Sequence, residues 1–324
     1  MELDLKGKNI LFIAPVFYDY HTIIKDRLVG LGANVFFYPE RDYSLKFSFV
    51  SNFLNLEEFQ TKHYSKILEK TIGIEFDYLF VIKGYKISNV FIEAFRAKYP
   101  KATLIMHQWD SHANNPYSHL LSKFDVFFSF DKKDIETYPT LKYLPNFYLD
   151  DILSSKVEND KENIIYDIFF IASFLPERYR ILMNLKEFAD ENNLKLKVVL
   201  YASYKTYIKE FLKGNRMNIK YFIFSPLKRE KYLMFWAQSK AIFDISSEKQ
   251  TGLSQRVIET IEGGKKLITN NKLIAKEEFY SPEQVLTLNE NGFNDIIPFL
   301  NKSFTKTKTN YSLDNWLFTI FSKY

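Results

Sequence analysis

Short apolar runs punctuate this chain, and most are followed by a stretch of helical spacing long enough to carry the backbone across a sheet. Asn9 to Pro15 (NILFIAP) has the near-continuous apolar character of a strand buried on both faces. Behind it, Ile23, Ile24, Leu28 and Leu31 share one helical face, Gly30 and Gly32 stop the helix, and Asn34 to Tyr38 (NVFFY) reads as the next strand. The pattern recurs with strands over Asp77–Lys83, Thr103–His107 and Asp125–Phe130, and helices over Val90–Ala97 and Asp131–Tyr138. A polar, charged stretch, Leu149–Asn163 (LDDILSSKVENDKEN), interrupts it. Alternation then resumes with strands over Tyr166–Ala172, Lys195–Tyr201, Lys240–Ile245 and Lys265–Thr269. Helices over Arg180–Asp190, Tyr204–Leu212, Arg229–Gln238 and Ser254–Ile261 separate these strands. Parallel strands need crossovers of this kind, so the pattern predicts an α/β protein made of two sequential αβα sandwiches. At 324 residues there is chain enough for both. The expected division is a first domain over 1–150, a linker over 151–164, a second domain over 165–302, and a tail with an aromatic-rich helix over 303–324.

Composition removes several classes of function. With no cysteine, disulfides, thiolate metal sites and a cysteine nucleophile are excluded. Lys and Arg number 44 against 39 Asp and Glu, a net +5 that is too small for the dense basic stripe of a nucleic-acid protein, so no nucleic-acid partner is expected. Aromatic residues make up 18%, which reads first as core filling. No run approaches the roughly 18 apolar residues of a membrane span. The start, MELDLKGKNILFIAPVF, is acidic before it is basic and lacks a cleavage site of small residues. A cytoplasmic protein is expected, with a peripheral contact at the inner face of the cytoplasmic membrane left open by the aromatic C-terminus, WLFTIFSKY.

The chemistry-bearing segment is Asp244–Asn271, DISSEKQTGLSQRVIETIEGGKKLITNN, which reads as strand, loop, helix, Gly-Gly turn, strand. Gln250, Thr251, Gly252 and Leu253 deliver backbone N–H groups toward a helix start, a place that favours an anion. Arg256 and Glu259 lie three apart, where a guanidinium can fork onto phosphate and a carboxylate can accept ribose hydroxyls. Phosphate with ribose means a nucleotide. The phosphate-loop and dinucleotide-loop patterns are both missing, which points to a nucleotide-sugar. Arg178, near a helix start after the first strand of the second domain, is a further candidate for a diphosphate, with Lys228 a weaker one.

Taken in order, NILFIAPVF, HQWDS, FSFDKKD, LPNFY, IASFLPERY, QTGLSQRVIE and GGKKLITNN resemble the GT-B glycosyltransferases of bacterial lipopolysaccharide, O-antigen and capsule synthesis, close to the CgeB-like group. The resemblance spans most of the chain. It implies two Rossmann-like domains facing each other across a cleft and a C-terminal helix returning to the N-terminal domain. It further implies a nucleotide-sugar donor on the C-terminal domain, a saccharide or lipid-linked glycan acceptor on the N-terminal one, and no cofactor or bound metal. Glu259 matches the carboxylate that holds the donor ribose. The retaining signature of the group places another Glu eight residues earlier, where this chain has Thr251, with Glu248 a displaced substitute, so retention or inversion stays open.

An inverting transfer needs a base for the acceptor hydroxyl. His107, Trp109, Asp110 and Ser111 end a strand on the ligand edge of the first sheet, and Asp110 or His107 could serve. Against this, Asp110 could simply cap a following helix. Tyr18, Asp19 and His21 occupy the loop after the first strand, where a ring can stack on a sugar and Asp19 or His21 supply polar contacts. His107, His112 and His119 lie close together, but their spacing is not that of a closed zinc site. Two other functions fit the same residues: a non-catalytic nucleotide-sugar-binding subunit, and a nucleotide-sugar epimerase.

Overall fold

The computed structural model describes residues 3–42, 56–157, 163–247, 249–289, 292–307 and 309–322. The chain divides into two compact units, neither of them continuous in sequence. The first comprises Met1–Asn146, Glu248–Gly252 and Leu313–Tyr324, and the second Phe147–Ser247 and Leu253–Ser312.

In the first unit the elements run β1 (Asn9–Ala14), α1 (Tyr20–Gly30), β2 (Asn34–Pro39), α2 (Leu56–Lys70), β3 (Tyr78–Ile82), α3 (Asn89–Lys98), β4 (Thr103–Gln108), β5 (Val126–Ser129), α4 (Lys132–Thr137) and β6 (Lys142–Tyr143). The six strands form one parallel sheet in the order β2-β1-β3-β4-β5-β6. Alternate residues serve opposite faces. Leu11, Ile13, Leu79, Val81, Leu104 and Met106 pack in one cluster with Tyr64 of α2 and Phe91 and Phe95 of α3. Phe12 stacks on Phe80 at 5.2 Å on the other face.

The second unit holds α5 (Asp151–Val157), β7 (Tyr166–Ser173), α6 (Pro176–Glu191), β8 (Leu196–Tyr201), α7 (Tyr204–Leu212), β9 (Phe222–Ile223), α8 (Arg229–Ala237), β10 (Ser239–Asp244), α9 (Gln255–Glu262), β11 (Lys266–Thr269), β12 (Val285–Thr287) and α10 (Ile296–Asn301). Its parallel sheet has the order β12-β11-β10-β7-β8-β9. Ile168, Phe170 and Phe243 pack with Leu182 and Leu185 of α6, while Phe169 and Ile242 pack with Tyr232, Phe235 and Trp236 of α8. Helices therefore cover both faces, as continuous apolar strands require.

The last helix, α11 (Leu313–Phe321), belongs to the first unit. Trp316, Leu317, Ile320 and Phe321 are buried, with Trp316 and Phe321 against Phe80 and Phe321 against Tyr78. An apolar face used in this way does not anchor the chain in a bilayer. The segment expected as linker also differs from expectation. Its first half is α5, which joins the second unit through buried Ile152 and through Asp151, onto which Arg229 forks at 2.9 and 2.6 Å. Residues 158–162 lie outside the described set.

Both sheets reverse their strand order once, at β1/β3 in the first unit and at β7/β10 in the second. Ligands of open parallel sheets bind beyond the carboxyl ends of the strands at such points.

Candidate functional site

At the first reversal, the chain leaves β3 through Lys83, Gly84, Tyr85 and Lys86. Three of these four have positive φ: Lys83 at 63°, Gly84 at 61° and Lys86 at 48°. Lysine rarely adopts this conformation, and backbone strain of this kind gathers at functional sites. A Cβ on Gly84 would meet Val81 at 3.0 Å and Met106 at 3.1 Å. The turn aims Lys83 Nζ at Asp110 Oδ2, 2.8 Å away, with both side chains partly exposed. Glu40, at the end of β2 and 1% exposed, accepts the Tyr85 N–H at 2.8 Å. Burial raises its carboxyl pKa, opposed by the Lys83 charge. Burial would by itself lower the Lys83 ammonium, but Asp110 and Glu40 outweigh it and the net shift is upward. Glu40, Lys83 and Asp110 thus form one charge-coupled group at the carboxyl ends of β2, β3 and β4. Asp110 is an ion-pair partner of Lys83 rather than a helix cap.

Beside this group runs a line of rings. Tyr18, at φ 44° and 47% exposed, meets Phe17 edge-on, Phe17 stacks on Tyr20, and Tyr20 meets Trp109 edge-on at 6.0 Å. Asp19 is exposed at the start of α1, and its carboxylate makes no capping bond. His21 lies 5.0 Å from the Phe37 ring, with its Nδ1 buried and unpaired.

His107 does not belong to the reacting groups. It is fully buried, its Nε2–H donates to the Leu144 carbonyl at 2.9 Å, and its Nδ1 accepts from Trp109 Nε1 at 2.9 Å. Both nitrogens are occupied, and burial lowers the imidazole pKa to about 4, so the ring stays neutral and has no lone pair for an acceptor. His112 Nε2 faces Tyr138 Oη at 3.3 Å. Among the described residues no group of three or more His, Asp or Glu is arranged to hold a metal ion.

The loop expected to greet an anion is already holding one, and it is internal. Asp131 Oδ2 accepts the N–H of Thr251 at 2.6 Å and of Gly252 at 2.9 Å, while its Oδ1 accepts the Thr251 hydroxyl at 2.6 Å. Ser111 Oγ donates to the Lys249 carbonyl at 2.6 Å, and Asn114 reaches Gln250 at 3.5 Å. The amide pair at 251–252 is therefore not available to phosphate in this state. Leu253 is a core residue of the second unit. Glu248 lies outside the described residues.

At the second reversal, Arg178 on α6 donates to the carbonyls of Ile245 at 3.1 Å and Ser173 at 3.2 Å. Arg256, in the first turn of α9, holds Asp244 Oδ1 through Nε at 3.1 Å and Nη2 at 2.6 Å, and bonds the Ile171 carbonyl. Burial and the neighbouring Arg256 both lower the Arg178 pKa. Asp244, 1% exposed at the end of β10, also accepts from Ser254 at 2.9 Å and Ser246 at 3.2 Å. Burial pushes its pKa up, but Arg256 and the hydroxyls win and hold it low. The site is two guanidiniums around one carboxylate.

Glu259 does not join Arg256. It is 2% exposed, accepts Tyr232 Oη at 2.8 Å and lies 2.7 Å from Arg229 Nη1, the same arginine that forks onto Asp151. Burial raises its pKa, with Arg229 opposing. Lys228 lies at the start of α8 beside a cavity of about 380 Å³ lined by Ile223, Ser225, Pro226, Leu227 and Lys231. Sequence reasoning missed Glu40, Lys83 and Asp131. For Lys83 the signal was present: a lysine and a glycine directly after the apolar run Tyr78–Ile82.

No protein-family model matches this sequence, and no curated protein matches it. Its fold is similar to several solved structures. An alpha-glucosyltransferase in complex with UDP and a 13-mer DNA aligns with a TM-score of 0.62 at 13% identity, over 91% of this chain and 90% of that one. An alpha,alpha-trehalose-phosphate synthase (UDP-forming) from Burkholderia xenovorans, in complex with glucose-6-phosphate, gives 0.62 at 12% identity, covering 96% and 98%. The UDP-GlcNAc 2-epimerase of Methanocaldococcus jannaschii, in complex with UDP-GlcNAc and UDP, gives 0.59 at 14%, covering 97% and 99%. The chain has the two-domain α/β fold of these GT-B proteins.

Proposed function

We propose that the protein is a glycosyltransferase that moves a sugar from a nucleotide-sugar donor to a saccharide acceptor, in the cytoplasm, during bacterial surface polysaccharide synthesis. The observation that carries the reading is the Arg178–Arg256 pair at the β7/β10 reversal, in a fold shared with proteins solved with UDP or UDP-GlcNAc. The two half-buried guanidiniums repel each other, and Asp244 sets a single negative charge against both. A diphosphate would relieve that repulsion through charge-assisted bonds, taking the counter-charge without a metal. The cavity at Ile223–Lys231 would take the nucleoside, with Lys228 at its rim. Glu259 would take the ribose by exchanging the Tyr232 hydroxyl for a ribose hydroxyl.

On the first unit, Asp110 would receive the proton of the acceptor hydroxyl, with Lys83 fixing its carboxylate. The Tyr18, Tyr20 and Trp109 rings would meet the apolar face of an acceptor sugar. The acceptor would be a saccharide, free or carried on a lipid.

A thermal-shift screen across UDP-, GDP-, dTDP- and CMP-sugars tests donor binding. A ligand at about 100 times its Kd should stabilise by about 2.7 kcal/mol. Arg178→Lys keeps the charge but loses the fork, so it should weaken the donor that scores. Absence of any nucleotide-sugar shift would reject the reading. The epimerase similarity keeps a second reading in play, and the two separate cleanly. A transferase releases the nucleotide (the diphosphate from UDP-, GDP- or dTDP-sugars, CMP from CMP-sugars) only with acceptor present, an epimerase turns over its nucleotide-sugar alone, and a binding subunit does neither.

A further inference from the structure

One helix of the second unit is inside out. In α7, Tyr207 turns inward to donate to the Met217 carbonyl at 3.1 Å, and Glu210 is 8% exposed. Ile208, Phe211 and Leu212 instead stand in solvent at 54%, 58% and 79% exposure, after Tyr204 at 65%. Positions 204, 208, 211 and 212 are spaced i, i+4, i+7, i+8, so the four form one stripe along the helix. Phe224 lies flat on Tyr204, with ring centroids 4.0 Å apart and planes 13° apart, extending the stripe past the helix. A single exposed leucine is ordinary, but a contiguous stripe of this size marks an interaction surface.

The charge around it selects the partner. Between Ser203 and Phe224 the sequence has five cations, Lys205, Lys209, Lys213, Arg216 and Lys220, all exposed, and one carboxylate, Glu210, which Lys213 meets at 2.6 Å. Five minus one leaves +4 in 22 residues, so nearly all of the whole chain's net +5 lies here. A second copy of the chain would bring a like-charged patch against this one, which disfavours self-association through it. Apolar residues on one stripe with cations along its flanks match the interface of an anionic bilayer, where rings and aliphatic side chains sit among the headgroups and lysines meet lipid phosphate.

We propose that α7 and the turn after it rest on the surface of an anionic phospholipid membrane. This holds whatever reaction the protein catalyses, since the residues of α7 belong to neither candidate site and only Phe224, between Ile223 and Ser225, borders the cavity proposed for the nucleoside.

The test is co-sedimentation of the full chain with vesicles of phosphatidylglycerol and phosphatidylcholine, and with phosphatidylcholine alone. Binding to the anionic vesicles, weakened by salt, is expected. Lys205→Glu/Lys209→Glu should weaken it by roughly thirtyfold or more, and Ile208→Ser/Leu212→Ser by about tenfold or more. All four side chains are exposed, so the variants should keep the wild-type circular dichroism. If the serine pair misfolds, the charge-reversal pair decides alone. No binding to anionic vesicles, equal binding to the neutral ones, or variants that bind as wild type would each overturn the proposal. So would a lipid-free dimer that the serine pair dissolves, which would give the surface to a second copy.

Discussion

His107 and Asp110 stand three residues apart at the end of one strand, and burial gives them opposite roles. The position of β4 and its carboxyl end was legible from the apolar continuity of Thr103–His107 (TLIMH), so both residues were candidates for the same job. What the sequence did not reveal is that α11 lays Trp316 against His107, with ring centroids 5.1 Å apart. A helix more than two hundred residues downstream leaves no local trace at His107. The consequence is measurable with pH. The folded imidazole titrates near 4 and an ordinary one at 6.5, so its contribution is complete above 6.5 and is lost as pH falls toward 4. The loss should be about 3 kcal/mol. His107→Gln, whose amide can still donate to Leu144, should flatten that part of the stability curve in urea titrations between neutral pH and pH about 4. For Asp110→Asn, donor affinity should hold while turnover falls by about 10²–10⁴-fold, read by steady-state kinetics beside donor titration. Near-normal turnover would leave Asp110 a partner for Lys83 only, and would turn attention to Asp19.

At the level of elements, most strands were legible to within a residue or two, because a buried parallel strand is apolar throughout. The two-residue β6 and β9 and the three-residue β12 were not, since so few residues carry no period. Polarity made Leu149–Asn163 read as linker, although one buried isoleucine and one forked aspartate suffice to dock α5. The loop before α9 is the instructive case. Its amides were expected to hold a donor phosphate, whereas the anion they hold is Asp131, more than a hundred residues away in sequence. Asp131→Asn would replace an acceptor oxygen by an N–H group facing other donors, and should destabilise by roughly 2–4 kcal/mol in denaturant unfolding. Gly252→Ala places a methyl 2.4 Å from the Phe130 ring and 2.8 Å from its carbonyl. That overpacking should cost about 1–3 kcal/mol by the same measurement.

The scale of the whole molecule is set by how the chain is shared between its units. The first sheet has its Phe80 face covered by α11, whose four buried side chains are worth roughly 1.5–3 kcal/mol each. Their sum is comparable to the entire stability of a typical domain, about 5–15 kcal/mol. Deleting residues 313–324 should therefore leave the first unit unfolded or aggregated, checked by solubility and near-ultraviolet circular dichroism. This dependence has a consequence during synthesis. The first 146 residues leave the ribosome early, yet the helix that completes their sheet begins at Leu313. At about 5–20 residues per second, the half-built unit waits roughly 8–33 seconds with an aromatic face open. A nascent chain in that interval is a client for a holding chaperone, and slowed translation between the two units would lengthen the hazard rather than relieve it.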